Sequence, residues 1–406
     1  MFKLIPDTTS ISLEQRRLIC GSCQECNRPN TGRYFSQKRG WCQPCNSKHF
    51  QKKFSKWTSG SQEIDKFLQK SQLEATIPHQ ALEFMPYEKF TNIKEIGEGS
   101  FSVARKADFV DGYGYIENWN IERNDWDRCK KNTGIILKVF KKSPSVIPKI
   151  LREITFHMSF YHTRRIVECY GISREPKTNN YIIVMDYRGE DMWTYLEKNK
   201  HLNFKERLFI FTSIISGLNS ISDREEMIHK DLHPGNILIE EYEGKPYGYI
   251  TDFGLSQLIK EKGNKKVYDG AWRYMAPEIL KFSLKKFLNQ EILYSPASDI
   301  YSLGMIAYKL FSGLEPYQDA VSYSKKRLKK IIEKKHRPNL EDMKTPQLFK
   351  DLIKKCWGDN PEFRPTSSDL VKIISQWSGE IGRFGDHYIN KNSEFYHQYK
   401  EIEKEE

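Results

Sequence analysis

Apolar positions alternate with polar ones in short runs over one part of the chain. Further on they recur every three or four residues, so the two stretches predict different elements. The strand-like runs are FTNIKEIG, SVARKADFV, IILKVF and YIIVMDY, within residues 90–187. Helical patterns dominate after them, in FKERLFIFTSIISGLNSIS, SDIYSLGMIAYKLFSG and PQLFKDLIKKCW. The expectation is an α+β protein: a small β-rich lobe over about 90–187, then a larger helical lobe over about 188–377. Residues 51–89 are polar and partly helical, as in EIDKFLQKSQLEA, with Pro78 and Pro86 near their end; they read as a linker or brace. Residues 378–406 are charged, lack a strong apolar pattern and read as a tail.

The hydrophobic content of 38% and aromatic content of 13% in 406 residues allow a real core and exclude global disorder. No apolar run approaches the roughly 18 residues of a membrane helix. The start, MFKLIPDTTS, has no continuing apolar stretch of the secretory kind. Both features point to an intracellular protein, of cytoplasm or nucleus, whose thiols stay reduced. The net charge of +12 first suggests a nucleic-acid partner. Yet residues 1–60 alone carry +8 and the remaining 346 residues only +4. The basic character belongs to the N-terminal segment.

That segment, residues 1–50, also holds five of the eight cysteines: Cys20, Cys23, Cys26, Cys42 and Cys45. CQECN at 23–27 and CQPCN at 42–46 are two copies of one C-Q-x-C-N pattern, with fifteen residues between the pairs. Four thiolates at such spacing suit a tetrahedral, structural Zn²⁺. Cys20 makes an alternative C-x-x-C with Cys23, which spacing does not exclude; the repeated motif favours Cys23, Cys26, Cys42 and Cys45. His49 is a further ligand candidate. Arg28, Arg33, Lys38, Arg39 and Lys48, interleaved with Tyr34, Phe35 and Trp41, form either a solvated basic face or a surface for an acidic protein or nucleic acid.

A second set of motifs carries chemistry. IGEGSFSVARKA places Gly97 and Gly99 in a β-turn-β context, where small residues let backbone amides approach an oligophosphate. Lys138 follows in IILKVF, Glu153 in LREITFH, then His229-Lys230-Asp231 with Asn236 five residues after Asp231. Asp252-Phe253-Gly254 and Ala276-Pro277-Glu278 complete the order. Over residues 90–377 this set resembles the protein-kinase signature. HKDLHPGNIL, TDFGLS and CWGDNPEFRPT look most like the tyrosine-kinase-like group, especially its expanded fungal members.

The resemblance implies a bilobal kinase fold that transfers the γ-phosphoryl group of Mg-ATP to protein hydroxyls. Lys138 would hold the α/β-phosphates and pair with Glu153, Asp231 would take the hydroxyl proton, and Asn236 and Asp252 would bind Mg²⁺. The nucleotide pocket would be lined by Ile96, Gly97, Glu98, Gly99, Ser100, Phe101, Ser102, Val103, Ala104, Ile136, Met185 as gatekeeper, Asp186 and Tyr187 at the hinge, and Leu238. Glu278 with Arg364, and Asp299, would be structural.

Several positions depart from the pattern. Ser102 replaces the third glycine of the loop. Ala104 and Ile136 exchange the usual sizes on one pocket wall, roughly conserving volume. Lys230 stands for the Arg that meets an activation-loop phosphate, which favours independence from such a phosphate or the use of Tyr268. His233 replaces the usual Lys, and Gly270-Ala271 lacks the usual Thr; Ser/Thr substrates remain favoured over Tyr by the group resemblance. The alternative is a pseudokinase scaffold that recruits partners or nucleic acid through the zinc module. The aromatic, charged stretch 111–134 has no role that its sequence names.

Overall fold

The alternating runs pair as their pattern requires. A computed structural model describes residues 12–32, 40–99, 102–110, 112, 114–128, 134–143, 145–160, 163, 165–224, 226–258, 272–284, 294–318, 330–382 and 389–404. They fall into two compact units, Met1–His162 with Val167–Tyr187, and Thr163–Ile166 with Arg188–Glu406.

The first unit begins with three helices, α1 (Leu13–Cys20), α2 (Gln43–Lys53) and α3 (Gln62–Glu74). Its strands are β1 (Glu83–Phe84), β2 (Phe90–Glu98), β3 (Ser102–Phe109), β4 (Ile116–Asn120), β5 (Asp125–Arg128), β6 (Ile135–Phe140), β7 (Cys169–Arg174) and β8 (Tyr181–Asp186). Six of them form one sheet in the order β1-β7-β8-β6-β3-β2, antiparallel except for the parallel β1–β7 pair. Every residue of β6 is buried, an apolar run broken by Lys138. Helix α4 (Val146–Ser159) buries Ile150, Ile154 and Phe156 along one stripe, and Glu153 with them.

Residues 51–89 are packed, so they act as a brace and not as a free linker. Ile64 and Leu68 of α3 are fully buried, and β1 extends the main sheet beside Gly171 and Ile172. The stretch 111–134, so far as it is described, supplies Tyr115 to the sheet's core and folds into the β4–β5 hairpin. That hairpin docks on the cysteine module: Trp126 stacks on Trp41 at 5.9 Å and on Phe50 at 4.3 Å, and Trp119 stacks on His49 at 3.9 Å. Trp41, Phe50, Ala75, Ala81, Ile116 and Trp126 form one apolar cluster drawn from three separate segments. Trp126→Ala leaves a cavity there and lowers stability by about 3–5 kcal/mol. Denaturant unfolding of the full chain measures it, and a loss below 1 kcal/mol would contradict the shared core.

In the second unit, strands β9 (Glu190–Asp191), β11 (Ile237–Tyr242) and β12 (Lys245–Ile250) form a small antiparallel sheet, and β10 (Met227–Ile228) pairs with β13 (Gln257–Leu258). Around them stand α5 (Met192–Lys198), α6 (Phe204–Asn219), α7 (Pro277–Leu284), α8 (Pro296–Ser312), α9 (Gln347–Cys356), α10 (Ser367–Glu380) and α11 (Glu394–Glu403). Nearly all of α8 is buried, which makes it the centre of the helical packing. The expected tail is a correction. Phe395 and Tyr399, four residues apart on α11, are buried, and Phe395 stacks on Trp377 at 4.4 Å. A two-residue apolar stripe is too short to show as periodicity, but it suffices to dock three turns of helix. Among the described residues no helix is long and apolar enough to cross a membrane.

Candidate active site and candidate metal centre

In the first unit, the ladder brings the nucleotide candidates to one face. Gly97 pairs with Ala104, Ala104 with Lys138, Lys138 with Ile183, and Ile136 with Met185. Partners in register and residues two apart share a sheet face, so Ala104, Ile136, Lys138 and Met185 stand together. Lys138 Nζ meets Glu153 Oε1 at 2.6 Å, with the Glu153 side chain only 2% exposed. Two opposite charges taken out of water in this way hold each other in place. Ile96, Glu98, Ser102 and Val103 flank the β2–β3 turn, closed by Gly99 N–H donating to Ser102 O at 2.8 Å. Among the described residues nothing requires glycine at 97: its φ is not positive and no described neighbour lies within 4 Å of a Cβ placed there. Ser100 and Phe101 lie outside the described residues. Asp186 and Tyr187 end the unit, Asp186 being buried at the end of β8.

In the second unit, β10 delivers His229-Lys230-Asp231 into a loop held from α8. Asp299, 2% exposed, accepts the N–H of His229 at 2.7 Å and of Lys230 at 3.0 Å. Those bonds fix Lys230 in its left-handed conformation (φ 71°). Burial pushes the Asp299 carboxyl above its ordinary range, and the two donors oppose that rise. His229 Nε2 meets the Thr251 carbonyl at 3.0 Å, and Asp231 N–H donates to Nδ1 at 3.3 Å, which defines one tautomer.

Asn236 Nδ2 donates to Asp231 O at 2.8 Å and to Asp231 Oδ2 at 3.3 Å. Its amide hydrogens are thereby used, and oxygen is the atom it offers a cation. Asp252 has a left-handed backbone (φ 65°), with Oδ1 accepting Gly254 N–H at 3.1 Å. An amide oxygen and a carboxylate are a donor set that fits Mg²⁺. Leu238 lies on β11, opposite Asp191.

Beside Asp231 the structure adds Trp193 and Tyr294, which the motifs did not name, to His233 and Lys230, which they did. His233 Nδ1 accepts Gly235 N–H at 3.1 Å, its ring stacks on Trp193 at 5.4 Å, and its Nε2 lies 3.7 Å from Asp231 Oδ2. A Cβ at Gly235 would stand 2.6 Å from Trp193, so only glycine fits between the rings. The DLHPGN wording held this signal, but Trp193 comes from α5, forty residues upstream, and its place depends on the fold. Lys230 Nζ stands 4.7 Å over the Tyr294 ring. Tyr268, Gly270 and Ala271 lie outside the described residues. Glu278 and Arg364 form a two-pronged ion pair at 2.7 and 2.9 Å, with the Arg364 side chain fully buried.

At the N-terminus, Cys23, Cys26, Cys42 and Cys45 bring their sulfurs within 4.8 Å of one another. Cys23 and Cys45 are 3.8 Å apart, Cys26 and Cys42 3.7 Å. A tetrahedron with metal–sulfur bonds of about 2.3 Å has an edge of about 3.8 Å, so the cage fits Zn²⁺. Burial pushes the Cys42 thiol up to about 12, while a hydrogen bond from the Arg28 backbone holds the Cys26 thiol below its ordinary range; a bound cation would favour the thiolate form of both. The two copies of the motif do different work: the first closes a turn through Asn27 (φ 56°), and the second opens α2. Cys20 ends α1 outside the cluster. His49 is not a ligand here, since it bonds Glu25 at 2.8 Å and lies flat on Trp119. The surface reading of Trp41 is also corrected, because that ring is fully buried. Arg28 and Lys48 are exposed, while Arg33, Tyr34, Phe35, Lys38 and Arg39 lie outside the described residues.

Set beside known proteins, residues 127–375 match the protein kinase domain. The Arabidopsis thaliana serine/threonine-protein kinase STY17 is 25% identical over 265 residues, which cover 63% of this chain and 42% of the relative. The serine/threonine-protein kinase VIK of the same plant is 27% identical over 294 residues, 71% of this chain and 60% of the relative. Its serine/threonine/tyrosine-protein kinase HT1 is 28% identical over 235 residues, 55% of this chain and 54% of the relative. The chain thus spans less than two thirds of the length of each. The family match starts at Asp127, inside the β4–β5 hairpin, so the glycine turn lies ahead of it.

Proposed function

The chain belongs to the protein kinase family, and from that premise we propose that it is an ATP- and Mg²⁺-dependent kinase of protein hydroxyls, acting on Ser and Thr before Tyr. The observation that carries this reading is the buried Lys138–Glu153 ion pair at 2.6 Å. A scaffold with no use for nucleotide has no reason to keep an ammonium and a carboxylate in an apolar sheet face, where their desolvation is costly. Asn236 and Asp252 would hold Mg²⁺, which supplies neutralisation of the phosphate charge. Lys138 would bind the nucleotide's phosphates, and the turn at Gly97–Gly99 would cover them with backbone amides.

Asp231 would orient the substrate hydroxyl and take its proton. Its carboxylate is steadied by Asn236, and His233 presents Nε2 towards the same oxygen. With Nδ1 accepting a bond, the neutral ring carries its proton on Nε2, a donor where relatives place an ammonium. The Cys₄ cage would hold a structural Zn²⁺, closed to substrate by its four thiolates.

Phosphoamino-acid analysis tests the substrate class. The full chain, labelled γ-phosphate ATP, Mg²⁺ and a generic protein substrate should yield phosphoserine and phosphothreonine. Predominant phosphotyrosine would overturn the substrate class, and no label would overturn the kinase reading.

A further inference from the structure

The residues on either side of Cys42 reach beyond the metal cage. Trp41 Nε1 donates to the Ala75 carbonyl at 2.7 Å, and Gln43 Nε2 donates to the Leu73 carbonyl at 2.6 Å. Thr31 Oγ1 adds a bond to the Thr76 carbonyl at 3.2 Å and accepts the Gln43 N–H at 3.1 Å. The last carbonyls of a helix have no partner within it. Helix α3 stops at Glu74, and its cap Ala75 does not turn left-handed to bond back (φ −57°, ψ 118°). The end of α3 is therefore capped from outside, by side chains whose place is set at Cys42.

From there α3 meets the lobe twice. Gln72 Nε2 donates to the Leu82 carbonyl at 2.6 Å, and Leu82 N–H donates to Ser71 Oγ at 3.3 Å, next to the sheet-edge strand β1. The other contact is with α4, the helix that presents Glu153 to Lys138. Ser145, at the start of α4, makes no side-chain capping bond, so the helix relies on what packs against it. Hydrogen bonds thus link the residues beside a metal ligand to α3, and α3 lies next to the helix that carries Glu153.

We propose that Trp41 and Gln43 are positioning residues for phosphoryl transfer, fixed by the metal at Cys42 and acting on Glu153 through α3. The proposal rests on the kinase and zinc readings above. It gives the N-terminal module a role beyond stabilising itself: metal occupancy sets the placement of α4.

The test uses the full, zinc-loaded chain. Gln43→Glu exchanges the donor for an acceptor of the same shape, Gln43→Lys keeps a donor, and Trp41→Phe removes only the indole N–H with part of the ring. Gln43→Glu and Trp41→Phe should keep one zinc per chain and lower kcat about ten- to a hundredfold, with KM for the protein substrate little changed. Amide exchange in α4 should quicken while α8 stays protected. Gln43→Lys should retain most of the activity. Stripping zinc with a chelator should produce the same pair of changes, and zinc addition should reverse both. Wild-type kcat in zinc-bearing Gln43→Glu, or α4 exchange indifferent to both the substitution and the metal, would overturn the proposal. A wild-type chain that transfers no phosphate refutes the kinase reading instead, and α4 exchange then still decides whether the brace exists.

Discussion

Asp231→Asn lowers phosphoryl transfer by a factor of about 10²–10⁴, the range for removing a general base. The fold should not change. The Asn236 bond to the Asp231 carbonyl, at 2.8 Å, does not involve the substituted group, and an amide oxygen can still accept the second Asn236 bond. What Asn lacks is the capacity to take a proton from the attacking hydroxyl, so the loss falls on kcat. Mg-ATP binding should stay close to wild type, because the proposed ligands Asn236 and Asp252 are untouched. Transfer assays beside a nucleotide titration check this; equal rates in variant and wild type would remove Asp231 from the chemistry.

Lys138→Met has the largest combined effect. It takes the phosphate-binding ammonium away and leaves Glu153, 2% exposed, as a buried charge without its partner at 2.6 Å. Breaking such a pair from one side costs about 3–5 kcal/mol. Replacing both members, Lys138→Met with Glu153→Leu, removes the stranded charge and should recover most of that stability while transfer stays absent. Denaturant unfolding and transfer measured on both variants separate the two roles. If the double variant is no more stable than the single one, the pair is not the buried unit described here.

The sequence carried the lobes and the ordered motifs well, because strand alternation, helix periodicity and short chemical motifs are local signals. The four clustered cysteines were equally legible, since a repeated C-Q-x-C-N names its own members, and the cluster leaves Cys20 out. What stayed hidden depends on contacts distant in sequence. Trp41 looked like an aromatic among basic residues, yet it is core, because Trp126 from the hairpin covers it. His49 looked like a spare ligand until Trp119 occupied its face. The brace α3 is polar by composition, but it buries Ile64 and Leu68 and has its end capped by Gln43 and Trp41. Phe395 and Tyr399 turned an expected tail into a docked helix. The charge of residues 1–60, which first suggested nucleic acid, is in part committed within the fold: Lys53 bonds Asp125 at 2.5 Å.

Single-turnover transfer tests the central claim most directly. The zinc-loaded full chain, in excess over labelled γ-phosphate ATP with Mg²⁺ and a hydroxyl-bearing peptide, is quenched over time. The kinase reading predicts phosphopeptide and ADP appearing together, one for one, in the wild type. Nucleotide that stays intact, or label released only as inorganic phosphate, would contradict it.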